Sequence, residues 1–387
     1  MLLAAERISA DIVEWRRVLH RKPELGFEER ETAAFVESRL ENLGLEIHSG
    51  IARTGIAAIL RASSTKGPAV LLRADMDALP IQEVAGREYG SRVEGVMHAC
   101  GHDGHVAMLL GAATILAERR ERLSRDVLFC FQPAEESRGG AESMIREGVL
   151  DLVETGSLFG IHLWSQEETG NVLVRPGPAM AASDEFIADI VGLGGHGAMP
   201  QAARDPVVAA AQVVTALQSI VARGVDPTEP AVVTVGSISG GSATNIIPER
   251  VRLMGTLRSY SEDVRRLLRR RVDEVLRGTA GAAGCEAEVD IREGFPVLVN
   301  DPGAVEAVRR EAGRLLGKDK VRDPGLLPAS EDFAFFLRER PGALVFLGAG
   351  SAEKGITAPH HSPDFDVDEA ALPLGAALLA RIALQAD

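Results

Sequence analysis

The sequence predicts an α/β protein in two domains, a mixed-sheet domain interrupted by a smaller ferredoxin-like α+β insertion. Three observations carry this expectation. At 387 residues the chain exceeds what one hydrophobic core usually organises. Short apolar runs at 56–60, 69–72, 127–131, 158–161 and 343–347 read as buried strands, and several of them run directly into polar residues. Between about Asp184 and Ile291 the rhythm changes to β-α-β-β-α-β, the ferredoxin-like order, and from Phe295 the first rhythm resumes. The expected division is therefore 1–180 with 293–387 as one discontinuous domain and 181–292 as the insertion.

Each element has a local reason. Ala33, Val36, Leu40 and Leu43 recur at helical spacing and stop at Gly44, an amphipathic helix with its C-cap. The strands at 56–60 and 69–72 follow, and Asp75 and Asp77 come at the carboxyl end of the second, where open α/β sheets build their sites. Residues 106–116 are apolar and Ala-rich, as in a buried helix. The strand at 127–131 leads into Gln132-Pro133-Ala134-Glu135-Glu136, and the strand at 158–161 ends in His162. In the insertion, Asp205-Pro206 supplies an N-cap and N1 proline for a helix reaching about Arg223. Strands at 231–238 and 250–258 come next, then a helix from Ser261 carrying Val264, Leu268, Val272 and Val275 to Gly278, then a strand at 286–291. Beyond Phe295 come a helix after Asp301-Pro302, a short helix capped by Ser330, the strand at 343–347 and an apolar helix from about Asp368 to Leu384.

Composition narrows the function classes. Hydrophobic residues make up 45% and charged residues 25%, ordinary for a globular protein, and no apolar run is expected to span a membrane. Charges at Glu6, Arg7, Asp11, Glu14, Arg16 and Arg17 leave no signal-peptide core, so the cytoplasm is the expected location. Three scattered cysteines, Cys100, Cys130 and Cys285, do not form a disulfide framework. A net charge of -14 argues against a nucleic-acid partner, and the arginines at 265–266 and 269–271 read as a solvated helix face.

The richest chemistry lies in Val96-Met97-His98-Ala99-Cys100-Gly101-His102-Asp103-Gly104-His105. Thiolate and imidazole together suit a transition ion better than calcium. In an extended segment Cys100 and His102 would project to the same side. Alone, this pair equally fits a buried thiol beside a structural histidine. Glu135 and Glu136, if extended, would point to opposite sides.

Together with Gln132–Glu136, Gly160-Ile161-His162 and His361-Ser362-Pro363, the 96–105 stretch resembles the peptidase M20 amidohydrolases. The nearest subgroup contains the hippurate hydrolases and the indole-acetyl-amino-acid hydrolases. The likeness begins at Trp15-Arg16-Arg17-Val18-Leu19-His20 and Pro23-Glu24-Leu25-Gly26-Phe27 and runs through nearly the whole chain. It implies a catalytic domain with an inserted lid and dimerisation domain. It implies metal ligands Cys100, His102, Glu136, His162 and His361, holding divalent transition ions, two per subunit, with Mn, Zn, Ni or Co open. It also implies hydrolysis of the amide bond of N-acyl amino acids, with hydroxide on the metal as nucleophile and Glu135 as general base. Asp77 would orient a ligand, while Asp75 stands where related branches carry a metal-binding histidine and is not counted among the ligands. His98, His105 and His360 would play supporting parts.

In the insertion, His196 in Gly-Gly-His-Gly would reach a partner's site in a homodimer and donate to the developing oxyanion. Asn245 and Arg258 would hold the substrate's carboxylate or carbonyl, for which the planar guanidinium is suited. Glu331 matches the family without an assigned role. Gln201 departs from the subgroup's usual histidine. Expected partners are thus a small N-acyl amino acid and a second copy of the chain, with no nucleic acid and no membrane. A dipeptidase or aminopeptidase would share the same metal centre. A non-catalytic binding homologue is the remaining alternative, against which stands the presence of every ligand and the base.

Overall fold

The computed structural model describes residues 1–136 and 139–385. They form two compact units, Met1–Gly177 with Val299–Gly325 and Asp332–Asp387, and Pro178–Leu298 with Leu326–Glu331.

The larger unit is built on an eight-stranded mixed sheet. Its spatial order is Glu46–Ile51, Gly55–Leu60, Val127–Gln132, Ala69–Asp75, Thr155–Glu168, Gly342–Gly350, Val172–Leu173, Val321–Arg322. The four strands at 127, 69, 155 and 342 run parallel, whereas Gly55–Leu60 pairs antiparallel with both of its neighbours, Val127–Gln132 and Glu46–Ile51. Every residue of Gly55–Leu60, Ala69–Asp75, Val127–Gln132 and Gly342–Gly350 is buried, which explains the apolar runs that fill most of each. Because the central strands are parallel, their carboxyl ends gather on one edge. Asp75 pairs with Gln132, and His162 pairs with Phe346.

Two elements differ from the sequence expectation in ways that matter for chemistry. The strand carrying His162 does not end there but runs Thr155–Glu168, since polar Ser165 and Glu167 are tolerated where it leaves the core. The buried helix begins at His102, not at Val106, and ends at Ala117. Gly101, with φ +89°, makes the left-handed turn into that helix. Cys100 and His102 are therefore not successive positions of one extended segment. The helix packs on Ala371–Gln385, where Gly375 leaves room for Met108: a Cβ there would fall 2.0 Å from Sδ.

The smaller unit has an antiparallel sheet in the order Ala231–Gly240, Arg250–Ser259, Ala182–Val191, Glu286–Glu293, with helices Pro206–Gly224 and Glu262–Ala282 packed against it. This is the ferredoxin-like arrangement. Asp205 caps the first helix by accepting from the Val207 N–H at 2.8 Å, and Ser261 caps the second by accepting from Val264 at 3.5 Å. The second helix passes through Gly278, which faces open space, and stops only before Gly284 at φ +74°. Pro206–Gly224 is long and apolar enough to cross a membrane by length and composition, contrary to the sequence expectation. Its inward residues Ala209, Ala210, Val213, Leu217 and Ile220 belong to the core of this unit.

Leu326–Glu331 joins the smaller unit, although the expectation for 293–387 assigned it to the larger. The Leu327 N–H donates to the Ala179 carbonyl at 2.9 Å, and the Ala181 N–H donates to the Ala329 carbonyl at 3.0 Å. Ser330 caps no helix. Its hydroxyl accepts from Arg258 Nη1 at 3.0 Å, and the following helix, Phe333–Glu339, is preceded by Asp332.

Candidate metal centre

The residues expected to hold metal converge at the carboxyl edge of the larger sheet. Cys100, His102 and His162 bring one donor atom each within 4.8 Å of one another, and so do Cys100, Glu136 and His361. The two triads share Cys100. All five residues named from the family pattern thus fall into two overlapping groups.

Hydrogen bonds determine which ring nitrogen of His102 and of His162 faces the cluster. The Nδ1–H of His102 donates to the Asp77 carbonyl at 2.9 Å and lies 3.2 Å from Asp77 Oδ1. Its Nε2 is the nitrogen left for an ion, buried, 3.6 Å from Asp75 Oδ2 and without a hydrogen-bond partner among the described residues. The Nδ1–H of His162 donates to the Leu163 carbonyl at 2.7 Å, which turns Nε2 toward Cys100 Sγ at 3.6 Å. The His361 N–H donates to the Ala99 carbonyl at 2.8 Å, and the residue takes φ +63°, an uncommon backbone that aims its ring Nε2 to 2.9 Å from Glu136 Oε1. Rings oriented by a second hydrogen bond in this way are the usual partners of a bound ion.

His105 contrasts with His102. Its Nδ1–H donates to Asp75 Oδ1 at 2.5 Å, and its Nε2 accepts from the Leu163 N–H at 2.8 Å, so neither nitrogen is left for an ion. The same peptide carbonyl of Leu163 also accepts from His360 Nε2 at 3.0 Å. The backbone of Leu163 therefore orients three rings. Asp75 accepts from His105 and from Arg73 Nη1 at 2.7 Å, and it also forms a donor group with His102 and His105, its Oδ2 lying 3.6 Å from His102 Nε2.

Glu135 and Glu136 do not lie on an extended segment. Ala134 takes φ +53°, and the chain turns so that the Glu135 N–H donates to Asp77 Oδ1 at 3.1 Å and the Glu136 N–H to Asp77 Oδ2 at 2.9 Å. Both carboxylates come within 4.8 Å of a His102 nitrogen, which replaces the expectation that they point apart. Asp77 thus grips His102 and both glutamate backbones at once. Asp332 anchors the neighbouring floor, its carboxylate accepting from Arg73 at 2.9 Å, Gln132 at 2.8 Å and the Ala141 N–H at 2.9 Å. Its own N–H donates to Glu135 Oε1 at 3.4 Å. Arg73, Gln132 and Asp332 were not singled out as functional, because nothing local to any of them marks so distant a partner.

The electrostatics of the cluster favour positive charge. Burial would lower the His102 pKa, but Asp75, Asp77 and Glu136 outweigh it and raise it to about 10. Burial and the carboxylates of Glu136, Glu135 and Asp75 push the Cys100 thiol well above its ordinary value. His162 is driven well below its ordinary value, first by burial and then by His105 and His360, and so offers a neutral ring. A divalent cation satisfies these demands together: it offsets the carboxylates, accepts the bare Nε2 atoms and favours the thiolate by displacing its proton. The residues present fit such an ion. His98 lies apart, fully buried beside His20, and burial holds its pKa near 3.

The other candidate residues lie in the smaller unit. His196 is exposed on the two-residue strand Gly195–His196, paired with Ile246, and its Nδ1 accepts from the Ala198 N–H at 3.0 Å. Asn245 is exposed, and its carbonyl accepts from the Gly197 N–H at 2.8 Å. Arg258 is half-buried, and burial lowers its pKa. Glu331 is buried in the segment that returns to this unit.

The family model described as Peptidase family M20/M25/M40 matches residues 71–385. An Arabidopsis thaliana protein named IAA-amino acid hydrolase ILR1-like 4 is 41% identical over 381 residues, covering 96% of this chain and 86% of the relative. A Bacillus subtilis N-acetyl-L-cysteine deacetylase is 41% identical over 357 residues, covering 92% of this chain and 83% of its own. The crystal structure of a Bacillus subtilis protein described as a dinuclear metal binding peptidase from the M20 family superposes with a TM-score of 0.86 at 33% identity, covering 98% of both chains. The chain belongs to peptidase family M20/M25/M40.

Proposed function

We propose that this chain hydrolyses the amide bond of N-acyl amino acids, using two divalent transition ions held by Cys100, His102, Glu136, His162 and His361. One observation carries the reading: two donor triads that meet at Cys100, the arrangement a shared thiolate between two ions requires. The named activities of the deacetylase and of the IAA-amino acid hydrolase support the substrate class. When bound, such ions supply Lewis acidity and bring the pKa of water toward about 7.

Glu135 has no place in either triad, yet its carboxylate lies within 4.8 Å of donor atoms of His102 and Glu136. It takes a proton from water and returns it to the leaving nitrogen. Asp77 keeps the proton of His102 on Nδ1 and holds the 135–136 turn. Arg258 and Asn245 hold the free carboxylate, and His196 donates to the developing oxyanion from a second copy of the chain. These three roles rest on the family pattern. They imply a homodimer, and a cytoplasmic location fits small N-acyl amino acid substrates.

The test joins metal analysis to a substrate panel. Purified protein should carry two ions per chain and cleave acetyl-, benzoyl- or indoleacetyl-amino acids in preference to unblocked dipeptides. Glu135→Ala should keep both ions and lose about 10²–10⁴-fold in turnover, the usual contribution of a positioned general base. Full activity of Glu135→Ala, or preference for a free amino terminus, would overturn the proposal.

A further inference from the structure

The Trp15–His20 motif takes no part in the chemistry above, yet Arg16 is among the fully buried charges of the larger unit. It lies on the helix Ser9–Arg21. Its Nε donates to Asp103 Oδ2 at 2.8 Å, its Nη2 to Asp366 Oδ1 at 2.9 Å, and its Nη1 to Glu369 Oε1 at 3.4 Å. The guanidinium also lies over the Tyr89 ring at 4.7 Å, and the Tyr89 hydroxyl donates to Asp366 Oδ2 at 2.6 Å.

The partners of this one cation come from two segments. Asp103 is the residue after His102, in the first turn of the His102–Ala117 helix. Asp366 and Glu369 follow His361 on the segment that carries it. A second strut runs beside the first. Arg87 donates to Glu83 Oε1 at 2.9 Å and to the carbonyls of Phe365 and Asp364 at 2.6 Å, while His20 joins Glu83 at 3.3 Å to Asp103 at 2.7 Å.

The geometry points to Arg16 as a positioning residue for the metal centre, holding the His102 and His361 segments in register without touching ion or substrate. The inference rests on the metal reading proposed above. His102 belongs to one donor triad and His361 to the other. A rigid fork with carboxylates from both segments fixes their separation, as a flexible ammonium does not. Donor positions wrong by about 1 Å are costly to a coordination shell set to within a few tenths of an ångström.

A purely structural role makes a different prediction, and the molecule contains its own control. Glu311 is equally buried, accepts from Arg381, Arg310 and Arg314, and touches none of the candidate ligands. The experiment compares Arg16→Lys, Asp366→Asn and Glu311→Gln in the full chain, measuring thermal midpoint and cobalt affinity by chelator competition. Arg16→Lys and Asp366→Asn should each lose about 10–100-fold in cobalt affinity, the usual effect of removing an outer partner of a ligand. Glu311→Gln should lower the midpoint and leave affinity unchanged. Wild-type affinity in folded Arg16→Lys and Asp366→Asn would overturn the inference, as would an equal loss of affinity in Glu311→Gln. If Arg16→Lys does not fold, Asp366→Asn decides the matter alone. A wild-type chain that takes up no cobalt would instead remove the metal reading, and this inference with it.

Discussion

Two buried polar clusters flank the turn at Gly101, and they solve opposite problems. On one side, Arg16, His20, Glu83 and Asp366 spend their polar atoms on one another and on Asp103 Oδ2, leaving Asp103 Oδ1 and the His98 ring as the exceptions. On the other, Cys100, His102, His162 and Glu136 hold their donor atoms in overlapping groups, and the Nε2 of His102 has no hydrogen-bond partner among the described residues. A buried polar atom without a partner costs about 1–3 kcal/mol, so donor atoms of three ligand types gathered within 4.8 Å of one another in overlapping groups signal a ligand rather than a core. Burial and charge are similar on the two sides. What separates them is where the lone pairs point.

The largest test of this contrast is stoichiometric. Because both triads use Cys100, Cys100→Ser should lose both ions, whereas His361→Ala, which strips one triad, should retain one. Metal analysis of the purified variants decides, and equal loss in the two would contradict the overlapping arrangement. Asp77→Asn comes next. The amide no longer offers a carboxylate to the Glu135 and Glu136 N–H groups and to His102, so metal affinity should fall about 10–100-fold with the fold intact, as chelator competition would show. No change would mean that the turn holds itself.

The smallest effect probes the satisfied side. Burial would raise the Glu83 carboxyl, but His20, the Ser91 N–H and Arg87 hold it down to about 2 from 4.5. A depressed pKa stabilises the fold fully above pH 4.5, and that stability drains away as the pH falls toward 2. Glu83→Gln should therefore melt below wild type at pH 7, with the gap narrowing between pH 4.5 and 2. A gap that stays constant with pH would assign the effect to packing.

Much of the fold was legible locally. The strands at 56–60, 69–72 and 127–131 announce themselves because strands inside a covered sheet are buried on both faces, and Asp205-Pro206 marks its helix through capping chemistry that needs no distant partner. Where local chemistry was ambiguous the reading failed. The polar Gly101–His105 masks a helix that starts at His102 rather than Val106, and Ser330 has the residue type of a cap, whereas a distant arginine claims its hydroxyl.

Residue types and their order determined by themselves which donors this protein possesses: a thiol, three imidazoles and two adjacent carboxylates in a family pattern. Only the tertiary structure decided how each is used. His102 and His105 sit one turn apart on the same helix, yet the first keeps a nitrogen without a hydrogen bond and the second has none, because Asp77, Asp75 and the Leu163 backbone reach them from elsewhere in the chain. A ring's free lone pair is fixed by whatever binds its other nitrogen, and that partner lies 25 to 58 residues away in the chain.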